Sequence, residues 1–540
     1  MAILSSKIDR RSEAYGANRE AMLALVEQVR CLEERVRGHG ERAAAKFDKR
    51  GQLTPRERVA RLLDRDTPFL ELSTLAGYKM HDDDGRDDVA GGGSIVGVGF
   101  VAGTRCLVSA NDAAIKGGSI SPMGLEKNLR AQQIALENRL PVISLVESGG
   151  ANLLYQSELF VKGGRVFCNM ARLSAAGIPQ VTVVHGSSTA GGAYMPGLSD
   201  VVIAVRDRAK IFLAGPPLVK AALGEESNDE ELGGAEMHAS VSGTADYLAE
   251  DDAHGLELAR EVIASLGWRR HGASPRGEAP VTPPRYDIDE LCGLVPVDGR
   301  RAYDVREVIA RLVDGSAFLE FKERFGRQTV CGHASIDGHR VGVLSNNGPI
   351  DPEGSVKAAQ FIQLCCQSRL PIVYLMNTTG YMVGKDAEQR GAIKHGSKMI
   401  QAVANATVPQ LTLVIGGAYG AGYYGMCGRA FDPRFIFAWP NSKLAVMGGE
   451  QAATVMKIIT RAKFAKRGVE AKEEALEQMS SALRERLDAE TNALFATARL
   501  WDDGIIDPRD SRRVLAECLA ICKEAEHRQL APSSFGVARG

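Results

Sequence analysis

The sequence predicts an α/β protein built from two tandem copies of one domain. The first observation is a repeat. "NRLPVISLVESGG" (Asn138–Gly150) returns as "SRLPIVYLMNTTG" (Ser368–Gly380), and "GIPQVTVVHGSSTAGGAYMPG" (Gly177–Gly197) returns as "TVPQLTLVIGGAYGAGYYGMC" (Thr407–Cys427). The second is that both matches keep one offset of 230, pairing Arg139 with Arg369, Pro179 with Pro409 and Gly192 with Gly422. The third is alternation. Unbroken apolar runs such as "PVISLV" and "QVTVV" alternate with helical stretches such as "GLEKNLRAQQIALE" and "EGSVKAAQFIQLCCQ". Continuous apolar strands separated by helices indicate a buried, mostly parallel sheet.

The elements follow in order along 540 residues, room for roughly two to four domains. Residues 1–65 form an N-terminal helical segment: "REAMLALVEQVRCLEERVR" has helical apolar spacing, and "LTPRERVARLLD" opens on a Thr–Pro start signal. In "HDDDGRDDVAGGGSIVGVGFVAG" the charged, Gly-rich part predicts an exposed loop leading into a hairpin. The first copy spans 66–270. "HGASPRGEAPVTPPRYDIDE" (His271–Glu290) is polar and Pro-rich, which places a linker at 271–300 and the second copy at 301–540.

Composition narrows the function classes. Hydrophobic residues make up 44%, charged residues 25%, and the net charge is −1. That balance suits an ordinary globular protein and does not favour nucleic acid or an anionic membrane as the main partner. No apolar run reaches the ~18 residues of a membrane span, and the N-terminus carries no signal-peptide pattern. Ten cysteines lie scattered without a CxxC pair, as expected of reduced thiols in the cytoplasm.

In both copies a strand ends in a Gly-rich bend. Glycine lets a ligand approach main-chain N–H groups. Two such groups near a helix start stabilise a developing negative charge on oxygen, worth about 3–4 kcal/mol per donor. The candidate donors are Gly191 and Gly192 in the first copy, and Ala421 and Gly422 in the second. The competing explanation is that the bends are tight packing turns. "GAGYYG" (Gly420–Gly425) fits GxGxxG, but the following run "RFIFAWP" ends without a ribose-binding acid, and "TAGGAY" in the first copy lacks the fingerprint. Ser187 and Ser188 in "HGSSTAG" do not form GxSxG, His185 and His238 stand alone, and there is no phosphate loop.

The paired bends, "FLAGPPLVKAALGEE" (Phe212–Glu226), "MCGRAFDPRFIFAWPNSKLAVMGGEQAA" (Met426–Ala453) and "LWDDGIIDPRDSRRVL" (Leu500–Leu515) resemble the carboxyltransferase (β) subunit of biotin-dependent acyl-CoA carboxylases. The branch is that of methylcrotonyl-CoA and geranyl-CoA carboxylases, and the resemblance runs from Ile8 to Gly536. It implies two crotonase-like β–β–α superhelix domains of the ClpP/crotonase superfamily. It implies a hexameric β core within an α6β6 holoenzyme, with each active site between the first domain of one subunit and the second domain of another. The α subunit would bring biotin carboxylase and the biotin carrier, in keeping with the lack of an "AMKM" motif here. The cofactor is therefore biotin, arriving as carboxybiotin, and no metal is expected in this subunit.

The resemblance also implies roles. Ala421 and Gly422 hold the biotin oxygen, with Thr379, Gly380, Tyr419, Gly420 and Tyr423 around it. Gly191 and Gly192 hold the thioester oxygen, with Ser148, Gly149, Gly150, Ala151, Gly163 and Gly164 lining the acyl-CoA side. Lys116 in "NDAAIKGGSISP" and Lys127 in "GLEKNLR" are candidates for the CoA phosphates. In "SGGANLLYQSELFVKGGRVF" (Ser148–Phe167) the methylcrotonyl branch carries a longer stretch with an aromatic before its Gly-Arg pair; here Gly163 stands before Gly164 and Arg165. A missing aromatic opens space for several carbons, each worth ~0.8 kcal/mol when buried. That favours geranyl-CoA, as in acyclic terpene breakdown. The alternative is methylcrotonyl-CoA, as in leucine breakdown. A crotonase-like hydratase or isomerase needs an acid or base beside the thioester, such as Glu147, and an inactive assembly scaffold needs neither bend.

Overall fold

A computed structural model describes residues 2–84, 88–268, 277, 279–299, 301–467 and 472–538. The head of the predicted linker, residues 271–276, lies outside the described residues. The chain forms two compact units. One comprises Arg30–Ala273, Ala498–Leu500 and Ile521–Gly540; the other comprises Met1–Val29, Ser274–Thr497 and Trp501–Ala520.

The first unit holds an eight-stranded sheet in the order Leu70–Glu71, Ser94–Val101, Thr104–Asn111, Val142–Ser148, Gln180–Thr189, Val201–Val205, Tyr247–Ala249. Its first two pairings are antiparallel and the rest parallel. Lys210–Phe212 pairs with the far end of Gln180–Thr189. The second unit repeats the plan with Ala317–Glu320, Thr329–Ile336, His339–Asn346, Ile372–Thr378, Gln410–Tyr419 and Phe435–Ala438, flanked by Ala2–Ile3, and Lys443–Ala445 pairs with the far end of Gln410–Tyr419. The β-branched and aromatic runs of these strands are buried on both faces, as parallel sheets require: Ile143, Val183 and Ile203 in one core, Tyr374, Val414 and Ile436 in the other. Register breaks at matched points, between Val146 and Ser148 and between Met376 and Thr378.

The hairpins carry the same device twice. Ala102–Gly103 have φ of 48° and 73°, and Asp337–Gly338 have φ of 50° and 78°. Two left-handed residues in succession match the twist of the flanking strands. Asp64 accepts the N–H groups of Ala102 (2.9 Å) and Gly103 (2.7 Å). Asp314 accepts those of Asp337 (2.9 Å) and Gly338 (2.8 Å). An arginine then binds each carboxylate: Arg260 to Asp64 at 2.8 Å and Arg512 to Asp314 at 2.6 Å. The same arginines donate to the carbonyls of Leu62 and Leu312, both at 2.6 Å. Among the described residues no helix is long and apolar enough to cross a membrane.

Burial alone raises the pKa of Asp64, but the Gly103 N–H, Arg260 and the Ala102 N–H outweigh it and hold the carboxyl below its usual range. Stability from this clamp is thus fully present above the unfolded carboxyl value of about 3.9 and is lost as the pH falls through the lower folded value. Asp64→Ala is expected to lower the thermal midpoint at neutral pH, at about 1 kcal/mol per lost turn bond. The gap from the parent should close on acidification. A midpoint equal to the parent's at pH 7 would show that the turn stands without its clamp.

Candidate active site

Each Gly-rich bend is made by one left-handed residue. The strand Gln180–Thr189 ends extended at Thr189 (φ −114°, ψ 155°), and Ala190 then takes φ 52°. The turn Ala190–Ala193 follows and leads into the helix Tyr194–Leu198. In the second unit Tyr419 is extended (φ −118°, ψ 142°), Gly420 takes φ 53°, and the helix Gly420–Gly425 follows. A positive φ is costly for alanine, so Ala190 is held there by its surroundings. The bend turns the chain off the sheet and makes the next two residues the head of a helical turn. The first N–H groups of a helix have no carbonyl partner within it and carry its positive dipole end. Gly191 is exposed and Gly192 buried; Ala421 is exposed and Gly422 buried.

The neighbours are assembled alike. Ser188 donates its hydroxyl to the Gly192 carbonyl at 3.0 Å. Ser148 accepts the Gly150 N–H at 3.2 Å, and a methyl on Gly192 would lie 3.7 Å from the Ser148 Oγ. Gly150 (φ 85°) rests against the Thr189 carbonyl. Gly149 and Ile120 lace this corner to the preceding loop: the Gly149 N–H donates to Gly117 (3.2 Å), the Ile120 N–H to Gly150 (2.9 Å), and Ile120 bridges Ala151. Exposed Lys116 (φ 47°) stands at the start of that loop. In the second unit Thr378 accepts the Gly380 N–H at 3.2 Å, Ile350 bridges Tyr381, and Thr379 is exposed. Tyr419 is half-buried, and burial raises its pKa. The Tyr423 hydroxyl is used inside the unit, accepting the Arg429 N–H at 2.8 Å and donating to the Trp501 carbonyl at 3.4 Å.

The packing-turn explanation meets different outcomes in the two bends. A methyl on Gly422 would lie 2.9 Å from the Gly380 Cα, so glycine is demanded there by packing. On Gly191 the nearest atom would be the Phe167 ring at 3.9 Å, and on Gly192 the Ser148 hydroxyl at 3.7 Å. Both are ordinary contacts, and neither residue has a positive φ. Packing within the unit does not account for the glycines of the first bend.

Gly163 and Gly164 lie inside the helix Gln156–Ala175, not in a loop. A methyl on either would meet nothing within 4 Å. Two interior glycines cost a helix about 1 kcal/mol each relative to alanine, so the open space has no return within the unit. Gly163 is four residues before Phe167, on the same helix face, and Phe167 is the side chain that borders Gly191. The corresponding position in the second unit is Ile393, 75% exposed.

Two expectations are corrected. Lys127 is not available to phosphates: its ammonium is buried and donates to the carbonyls of Gly91 (3.0 Å) and Ser94 (2.7 Å), and burial brings its pKa down to about 8. Lys357 does the same to the Thr329 carbonyl at 2.7 Å, so both lysines brace a sheet. Glu147 is not a loose acid or base beside the bend: its carboxylate is bound by Arg58 at 2.7 Å. Arg58 and its second partner Asp252 (3.0 Å) escaped notice in the sequence. The available signal was Arg58 sharing the buried face of "RERVARLL" with Leu62. His238 is structural, its Nε2 meeting the Ile211 carbonyl at 2.6 Å. Among the described residues no cluster suits a metal ion.

Residues 46–537 match the family model described as the carboxyl transferase domain. A crystal structure of the Pseudomonas aeruginosa geranyl-CoA carboxylase β subunit superposes with a TM-score of 0.93, at 58% identity over 100% of both chains. A probable biotin-dependent acyl-coenzyme A carboxylase beta2 subunit of Mycobacterium tuberculosis is 50% identical over 99% of this chain and 100% of its own. A probable mitochondrial methylcrotonoyl-CoA carboxylase beta chain of Drosophila melanogaster is 48% identical over 99% of this chain and 95% of its own.

The glycine contrast gives a paired test. Gly192→Ala is expected to keep the parent thermal midpoint, and Gly422→Ala to lower it. Differential scanning fluorimetry on both variants decides; equal drops would make both glycines packing requirements.

Proposed function

Because this chain belongs to the carboxyl transferase family, we propose that it transfers a carboxyl group from carboxybiotin to the γ carbon of a branched α,β-unsaturated acyl-CoA, with geranyl-CoA the preferred substrate. The chain is an enzyme, the carboxyltransferase β subunit of an acyl-CoA carboxylase. Carboxybiotin, carried by a partner α subunit, supplies the CO2 and, once that is released, the base. The residues fit such a group: the second bend offers two N–H groups at a helix head, with exposed Thr379 and half-buried Tyr419 beside them.

The Ala421 and Gly422 N–H groups bind the ureido oxygen and favour its negative form. The Gly191 and Gly192 N–H groups bind the thioester oxygen and stabilise the charge that develops as the acyl chain loses its proton. Neither bend carries a side-chain base, so the base would be supplied by the biotin held at Ala421 and Gly422. Binding pre-pays the entropy of gathering the reactants, and a closed site keeps water from the carbanion. The observation that carries this reading is the same left-handed residue followed by the same amide pair in both units. Glu147 in its ion pair with Arg58 weighs against a hydratase or isomerase. Lys116, the one of the two lysine candidates left exposed, is assigned to the CoA side. The working assembly is a β hexamer with α subunits in an α6β6 cytoplasmic holoenzyme.

Geranyl-CoA is favoured over methylcrotonyl-CoA by the open face at Gly163 and Gly164 beside Phe167. Identity is also higher to the geranyl-CoA carboxylase subunit, 58%, than to the methylcrotonoyl-CoA chain, 48%. The activity is tested without the α subunit by supplying free biotin and carboxylated acyl-CoA and following reverse transfer; hydration without biotin dependence would refute the assignment. In the holoenzyme, kcat/KM is expected to be higher for geranyl-CoA than for methylcrotonyl-CoA. Gly163→Phe should reverse that order, with several carbons' worth of pocket lost at ~0.8 kcal/mol each. Unchanged selectivity would place Gly163 outside the acyl pocket.

A further inference from the structure

Beneath the first bend lies a buried ionic network in which Arg58, Glu147 and His185 have neutral counterparts in the second copy of the fold. Arg58 is 1% exposed, Asp252 4%, Glu147 7% and His185 0%. Arg58 binds Glu147 at 2.7 Å through Nη1 and Asp252 at 3.0 Å through Nε. Asp252 pairs with His185 Nδ1 at 2.8 Å and accepts the Leu53 N–H at 2.8 Å. Gln52 donates to the His185 carbonyl at 2.8 Å. Burial holds the His185 imidazole below the ordinary histidine range. The network is incompletely satisfied: Arg58 Nη2, His185 Nε2 and Gln52 Oε1 are buried without a hydrogen-bond partner.

The equivalent residues of the second copy are Val308, Asn377 and Ile415. The equivalence of Glu147 and Asn377 is geometric as well as numerical. A methyl on Gly186 would lie 2.7 Å from the Glu147 Cγ, and a methyl on Gly416 would lie 2.4 Å from the Asn377 Oδ1. Arg58 and Val308 sit at one place in matched helices, Pro55–Leu62 and Val305–Leu312, whose final carbonyls meet Arg260 and Arg512. The same strands and bend therefore form with neutral residues at these three points. Buried ion pairs are often no more stabilising than well-packed apolar residues, so stability does not explain the ions. What they touch does. Glu147 precedes Ser148, which borders Gly192, and His185 lies on the strand that ends at the bend.

We infer that Arg58, Glu147, Asp252 and His185 are positioning residues that set the Gly191–Gly192 amide pair against the thioester oxygen. Arg58 ties the end of Val142–Ser148 to the start of the helix Asp252–Ser265, and His185 ties that helix start to Gln180–Thr189. The two strand ends that flank the amide pair are thereby locked to one guanidinium. This rests on the assignment of that pair to the acyl-CoA.

The test grafts neutral residues into the full chain: Arg58→Val, Glu147→Asn and His185→Ile from the second copy, with Asp252→Asn to leave no lone charge. The infrared carbonyl stretch of bound geranyl-CoA reads the amide pair directly. Wild type is expected to lower it relative to free thioester, and the variant to return it toward the free value. In reverse transfer the variant's kcat should fall about 10–100-fold, as for a small misplacement of reacting groups. Its KM for free biotin and its thermal midpoint should stay at the wild-type values. Wild-type stretch and kcat in the folded variant would overturn the inference, as would a kcat loss that tracks a fallen midpoint and a raised biotin KM. If the fourfold variant does not fold, Glu147→Gln, which keeps the shape and removes the charge, decides by the same stretch: a shift supports the inference and none overturns it. An unshifted stretch in wild type would instead refute the assignment of Gly191 and Gly192.

Discussion

One backbone conformation governs the rest of the structure: a single left-handed residue at the end of a parallel strand, Ala190 in one unit and Gly420 in the other. Without it the strand would run on, and the following residues would spend their N–H groups on a neighbouring strand. With it the chain leaves the sheet and starts a helical turn whose first N–H groups have no internal partner. A reactive side chain can be moved by a rotamer, but a main-chain donor moves only with its backbone. A site built from amides must therefore be made rigid by the strands beneath it. That accounts for the close approach of Glu147 to Gly186 and of Asn377 to Gly416 just behind the bends.

The duplication acts as an internal comparison. Several features present in both copies, the bends apart, serve the shared fold: the aspartate clamps at Asp64 and Asp314, the arginines Arg260 and Arg512 upon them, and the buried lysines Lys127 and Lys357. Features present once need another cause. The Arg58 network is one, and the Gly163–Gly164 pair, where the second copy has Ile393 in place of Gly163, is another. Both single-copy features lie in the unit proposed to take the acyl-CoA.

Much of this was legible in the sequence because it is local. A strand followed by glycines predicts a bend, and an offset of 230 predicts that the bend occurs twice. The helical period of "LTPRERVARLLD" is borne out by the capping box of Thr54 and Glu57. The rest depended on partners distant in sequence. Lys127 reads as a surface lysine until its helix is laid against the carbonyls of Gly91 and Ser94. Arg528 binds the Arg139 carbonyl at 2.9 Å across 389 residues, which is why the end of the chain belongs to the unit of the first copy. Two adjacent glycines at 163 and 164 weaken a helix by propensity; neighbours such as Leu159, Val166 and Met170, all buried, hold it against that cost.

The glycines of the two bends show how composition alone misleads. At Gly422 the absent side chain is a packing need, since Gly380 stands where a methyl would go. At Gly191 and Gly192 there is room for a methyl, so packing within the unit does not require glycine there. The same letter in aligned positions thus meets different surroundings: the fold requires glycine at 422 and does not require it at 192. Position 421 is exposed, lies in the first turn of its helix and is alanine. Glycine content therefore locates the bends, and the space around each glycine tells which of them the packing itself requires.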